Sequence, residues 1–143
     1  MRVLGLDVGT KTVGLALSDE LGLTAQALTT VRRTNLRSDV AAVLAQVTEY
    51  SVTHLIIGLP LNMNGTEGPR AEASRQFARS LTKAGAPERT FWDERLSTVA
   101  AQRVLLEADL SRAKRKQVID QLAAAYILQG WLDAQRGPSQ NDD

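Results

Sequence analysis

The chain has 143 residues, 43% of them apolar and 23% charged, which excludes a disordered or low-complexity chain and fits one compact domain. It contains no cysteine, which excludes disulfide frameworks, thiolate nucleophiles and zinc ribbons. A formal net charge of +1 gives no overall pull toward polyanions.

Two short apolar runs, 2–8 and 12–18, flank Gly9-Thr10-Lys11 and predict a β-hairpin turned at the glycine. A third strand is expected over about 23–31, after the Gly22 turn. The period then changes: Leu36, Val40, Val43, Leu44, Val47 and Tyr50 recur at helical spacing, with Asn35 placed to cap the first turn. His54–Gly58 is a short apolar run of the kind that forms a buried parallel strand. Leu59–Gly68 is a polar, glycine-punctuated loop. Pro69 suits the first turn of a helix reaching about Lys83, where Gly85-Ala86-Pro87 stops it. Thr90–Glu94 reads as a strand. Ser97 can cap a helix containing Val104 and Leu105, and Ser111 a last helix to about Gln135.

This order predicts an α/β domain over 1–136 whose mixed five-stranded central sheet joins an antiparallel three-strand meander to two parallel strands, flanked by helices. Residues 137–143 have nothing to bury and are expected to form a disordered tail. Asp7 interrupts the apolar start where a signal peptide needs unbroken hydrophobicity, and no run approaches the ~18 residues of a membrane span. A cytoplasmic protein without a membrane partner is expected. Basic residues gather in Arg32, Arg33 and Arg37, in Arg70, Arg75 and Arg79, and in Arg112–Lys116. Such clusters can follow a phosphate backbone, but solvated helix faces are the simpler reading.

Three acids stand in costly places. Asp7 ends the first strand on the face shared by Val3 and Gly5, where a carboxylate needs a partner; alternatively it caps the Gly9 turn. Asp93 and Glu94 end another strand and point to opposite faces, so at most one can join Asp7, and alternation leaves both open. Asp120 shares a helical row with Ala123, Ala124, Ile127 and Trp131, an apolar face whose alanines would let the helix lie close to the sheet. A buried ion pair with Arg95 or Lys116 is the rival reading for Asp120. Acids gathered in this way suit hard divalent cations and phosphodiester hydrolysis, which requires no histidine base. The single histidine, His54, is read as packed on its strand.

Four segments carry a resemblance: Leu4-Gly-Leu-Asp-Val-Gly-Thr-Lys-Thr-Val-Gly-Leu-Ala-Leu-Ser-Asp19, Gly58-Leu-Pro-Leu-Asn-Met-Asn-Gly-Thr-Glu-Gly68, Trp92-Asp-Glu-Arg-Leu-Ser-Thr98 and Asp120-Gln-Leu-Ala-Ala-Ala-Tyr-Ile-Leu-Gln129. In series, from residue 2 to about 133, they resemble the bacterial YqgF family, also called RuvX. The resemblance implies an RNase H-like fold similar to that of the RuvC resolvases. It implies a nuclease that matures the 5′ end of the 16S ribosomal RNA precursor or, alternatively, cuts Holliday junctions and other branched DNA. It also implies that Asp7, Glu94 and Asp120 are the catalytic acids and hold one or two Mg2+ or Mn2+ ions. The match thereby takes Glu94 over Asp93. Arg95 matches a residue able to hold substrate phosphate, and Lys11, Arg70, Lys114 and Arg115 are expected to join it on nucleic acid. Thr12 stands where the family usually has arginine, and Asn64 where it often has aspartate.

Two rivals come from other classes. An ATP-binding member of the actin and sugar-kinase fold also begins with Asp-x-Gly-Thr, but it needs two such domains, and no P-loop motif is present. A non-catalytic nucleic-acid-binding module would not require all three acids. RNA and branched DNA stay open as substrates, as do monomer and homodimer, since paired junction cuts usually need a dimer and RNA end processing does not.

Overall fold

The structure, a computed structural model, describes residues 2–96 and 112–136, with side chains in the last helix described from Leu122 onward. Strands β1 (Arg2–Val8), β2 (Thr12–Ser18) and β3 (Ala25–Arg32) are antiparallel neighbours. Strands β4 (Val52–Leu59) and β5 (Glu88–Asp93) add in parallel on the far side of β1, so the sheet order is β3-β2-β1-β4-β5. The expected mixed five-stranded sheet is therefore present. Tight turns suffice within the meander, whereas each parallel strand needs a crossover. Helices α1 (Leu36–Glu49) and α2 (Pro69–Lys83) supply those crossovers, and α3 (Arg112–Arg136) ends the described chain.

Local chemistry sets the boundaries. Asn35 accepts the Ser38 N–H at 2.9 Å and starts α1, while Pro69 opens α2 where no backbone donor is needed. β3 begins at Ala25, later than expected, because Asp19 Oδ1 accepts the N–H groups of Leu23 (2.7 Å) and Thr24 (3.2 Å) and keeps them in the turn. The β1–β2 hairpin closes through the Gly9 N–H to the Thr12 carbonyl at 2.8 Å. Glycine is required there for close approach, since a Cβ would lie 2.9 Å from that same oxygen. The last sequence strand stops at Asp93, with Glu94 in a 3-10 turn over Glu94–Leu96. The helix expected around Val104 and Leu105 and the tail at 137–143 lie outside the described residues.

The sheet buries both faces. On one, Leu4, Leu6, Leu15, Leu55 and Ile57 pack against Val40, Val43, Phe77 and Leu81 of α1 and α2. On the other, Val3, Ala16 and Ile56 lie under Ala123, Ala124, Ile127 and Leu128 of α3. That helix rests almost on the backbone: a Cβ at Gly5 would stand 2.8 Å from Leu128 Cβ and 3.1 Å from the Ala124 carbonyl oxygen. Among the described residues, no helix is long and apolar enough to cross a membrane.

Candidate active site

Strand alternation puts Asp7 on the α3 face, in line with Val3 and Gly5. Register then places its neighbours. Leu6 pairs with Ile57, so Asp7 and Gly58 stand at one level, and Gly58 pairs with Trp92. Beyond Asp93 the chain leaves β5, and the Glu94 side chain returns across the sheet. Its Oε2 lies 3.1 Å, and its Cδ 3.3 Å, from where a Gly58 Cβ would be. Only glycine leaves that space. Asp7 and Glu94 thus occupy the same face with the end of β4 between them.

Phe91 packs into the α1/α2 core and Trp92 into the α3 core, which fixes the parity of this end of the sheet. Asp93 accordingly falls on the opposite side from Glu94. It accepts from the Arg95 N–H at 2.9 Å, from Nε at 3.1 Å and from one terminal guanidinium nitrogen at 2.8 Å. The Arg95 guanidinium beside it holds the Asp93 carboxyl below its ordinary range. Glu94, by contrast, is only 8% exposed, and a carboxylate is stable there only in the company of donors or cations.

As a donor set, the carboxylates of Asp7 and Glu94 offer hard oxygens, which fit Mg2+ or Mn2+. Among the described residues, no group of three or more His, Asp or Glu side chains is placed to hold a metal ion. Asp120 belongs to α3, one turn before Ala124, but its side chain lies outside the described residues, as do those of Lys114 and Arg115.

The other residues expected on nucleic acid sit on separate elements. Lys11 is exposed at the hairpin and Arg70 is exposed in the first turn of α2. Arg95 is engaged with Asp93 and with the Met63 carbonyl at 3.2 Å. His54 is packed, as expected: its Nε2 is 2.8 Å from Thr90 Oγ1 and its ring stacks on Trp131. Of the basic clusters, Arg33, Arg75 and Arg79 form ion pairs with Asp39, Glu67 and Glu72. Arg33 also donates to the Gly9 carbonyl at 2.9 Å and so ties the hairpin beside Asp7 to the start of α1. Sequence reasoning missed this strut, and it missed Gly58. A glycine inside an apolar strand is a sign of close approach and was available for Gly58; nothing local announces the Arg33–Asp39 pair.

The family model described as "RuvX: Holliday junction resolvase" matches residues 1–134. A Myxococcus xanthus protein named "Putative pre-16S rRNA nuclease" is 64% identical over 138 residues, covering 96% of this chain and 91% of the relative. A Moorella thermoacetica protein of the same name is 65% identical over 134 residues, covering 93% of this chain and 95% of the relative. The solved structure of Thermus thermophilus RuvC in complex with a Holliday junction substrate is similar at a TM-score of 0.55, with 18% identity over 96% of each chain. The architecture is the RNase H-like fold of RuvC.

Proposed function

The chain belongs to the RuvX family, and on that premise we propose that it is a divalent-metal-dependent nuclease that hydrolyses phosphodiester bonds in 5′-end maturation of the 16S ribosomal RNA precursor. The observation that carries this reading is the placement of Glu94 over Gly58, on the face and at the level of Asp7.

The course of α3 supports Asp120 as the third acid. Trp131 stacks on His54 near the start of β4, whereas Ile127 meets Gly58 near its end, so the helix runs back toward the acids as residue number falls. Gly5 lies under Ala124. Asp7 is about 7 Å further along β1 and position 120 about 6 Å further back along α3, which brings them level.

Asp7, Glu94 and Asp120 would hold one or two Mg2+ or Mn2+ ions. Such ions, when bound, lower the pKa of an attacking water and stabilise the leaving oxygen. The chain's own part is to fix the carboxylates on a rigid sheet. Lys11, Arg70, Lys114 and Arg115 supply the charge that guides the strand. A task on ribosomal RNA places the protein in the cytoplasm, and a monomer suffices for it. The description of the family model keeps a second substrate in view, a branched DNA junction cut by a homodimer.

The test incubates wild type, Asp7→Asn and Glu94→Gln with the RNA leader and with a four-way DNA junction, in magnesium and in manganese. Cutting of the leader at a defined position, reduced at least about a hundredfold in each variant, is expected. Paired symmetric cuts in the junction alone would move the substrate to DNA. Tight binding without cleavage of either would leave a nucleic-acid-binding module. Charge reversal at Lys114 and Arg115 should weaken binding and flatten its salt dependence.

A further inference from the structure

We propose that Asp93 is a positioning residue: it aims Glu94 into the site and, through Arg95, sets the 59–68 loop beside it. The inference rests on Glu94 being an acid of that site.

The Asp93 carboxylate does two jobs at once. Its Oδ1 accepts the Arg95 N–H at 2.9 Å, which caps the 3-10 turn of Glu94–Leu96. That turn ends β5 and bends the chain at Glu94, so the Glu94 carboxylate comes back over Gly58 rather than running beyond the edge of the sheet. The same carboxylate also takes Arg95 Nε at 3.1 Å from each oxygen and a terminal nitrogen at 2.8 Å. A fork of this kind fixes the plane of the guanidinium as well as its position.

Held there, the other terminal nitrogen of Arg95 donates to the Met63 carbonyl at 3.2 Å. The guanidinium lies 3.6 Å from where a Cβ would be on Gly65, whose φ of +85° favours glycine. The loop it braces is already closed. Asn62 N–H reaches the Thr66 carbonyl at 2.9 Å, Gly65 N–H reaches the Asn62 carbonyl at 2.8 Å, and Leu61 bridges to Glu67. Glu67 in turn binds Arg75 through two hydrogen bonds of 2.7 Å. One ion pair therefore anchors the base of the loop and the other its tip, where Met63 is 94% exposed.

Asp93 and Arg95 are 21% and 40% exposed, and a pair that open to water contributes little stability. So many hydrogen bonds at such a place set geometry. Arg95 acts as a strut between β5 and the loop, with its guanidinium held by Asp93 and donating to the Met63 carbonyl.

Steady-state cleavage of the leader RNA by wild type, Asp93→Ala, Asp93→Asn and Glu94→Gln tests this, with thermal melting as the check on folding. Asp93→Ala removes both functions and should lower kcat about tenfold or more while raising KM. Asp93→Asn keeps an oxygen for the Arg95 N–H but loses the charged fork. It should hold kcat within about threefold of wild type and raise KM several-fold. Wild-type kinetics in Asp93→Ala, or equal loss in both variants matched by a fallen folded fraction with KM unchanged, would overturn the inference. A fully active Glu94→Gln would instead overturn the assignment of Glu94 on which the inference rests.

Discussion

The two faces of the sheet are packed by different means. Toward α1 and α2 the buried side chains are large, with Leu4, Leu6, Leu15, Leu55 and Ile57 meeting Phe77 and Leu81. Toward α3 the sheet offers Gly5, Ala16 and Gly58, and the helix answers with Ala123 and Ala124. Large residues bury apolar area, which is the main favourable term in folding. Small residues bring the helix axis close to the sheet, which is what an acid carried on α3 needs to reach acids at strand ends. Both faces bury large side chains, Ile56, Ile127 and Leu128 among them on the α3 side, but the close approach to strand backbone at Gly5 and Gly58 belongs to the α3 face, so substitutions on the two faces should fail differently.

The largest effect is expected on the first face. Phe77, fully buried, should cost about 3–5 kcal/mol when replaced by alanine, seen as a lower urea midpoint with unchanged slope. Cleavage per folded molecule should stay at the wild-type value. On the second face Gly58→Ala puts a Cβ 2.6 Å from Ile127 Cδ1 and 3.1 Å from Glu94 Oε2. Overpacking should cost about 1–3 kcal/mol, and cleavage should fall by more than the folded fraction does. Ile127→Val in the same chain would relieve the contact with α3 but not the one with Glu94, so it should recover stability and leave activity low. Full activity in Gly58→Ala would show that the site does not depend on this close approach.

Smaller effects sharpen the contrast. Asn35→Ala removes the cap of α1 and should cost about 1 kcal/mol, with cleavage per folded molecule little changed, because α1 packs on the face of large residues and the Arg33–Asp39 pair is left in place. Acid titration should show the least. Asp19 is held below the usual carboxylate range by the Leu23 and Thr24 N–H groups, Glu67 by Arg75, and Asp93 by Arg95. Each folded-state pKa is depressed, so its contribution is present above the unfolded value near ~4 and is lost as pH falls through the folded one. A urea midpoint that falls slightly below that range is expected. Replacing Glu67 with Gln should reduce the fall, and a midpoint that rises with acid would contradict the assignment.

Much of the fold is legible in local patterns. The apolar runs over 2–8 and 12–18, the Asn35 cap and Pro69 each act within a few residues of the element they define. The start of β3 was less legible because the Asp19 carboxylate, not a change of period, holds Leu23 and Thr24 in the turn. Glu94 reads as a strand residue from sequence because the hydrogen bond that ends β5 is accepted by the side chain before it. The basic residues were legible as clusters but not as pairs. Arg33 finds Asp39, and Arg75 finds Glu67, only after α1 and the 59–68 loop are in place.

By itself the sequence determined the order of the described elements and the meander with its two parallel additions. These follow from periodicity and turn chemistry, which are short-range. Only the tertiary structure decided that β4 lies between the acids, that Gly58 opens the space over which Glu94 returns, and that Arg95 is turned toward the loop. The physical reason is that space and charge compensation depend on which distant segments arrive at the same place, and no local pattern records that.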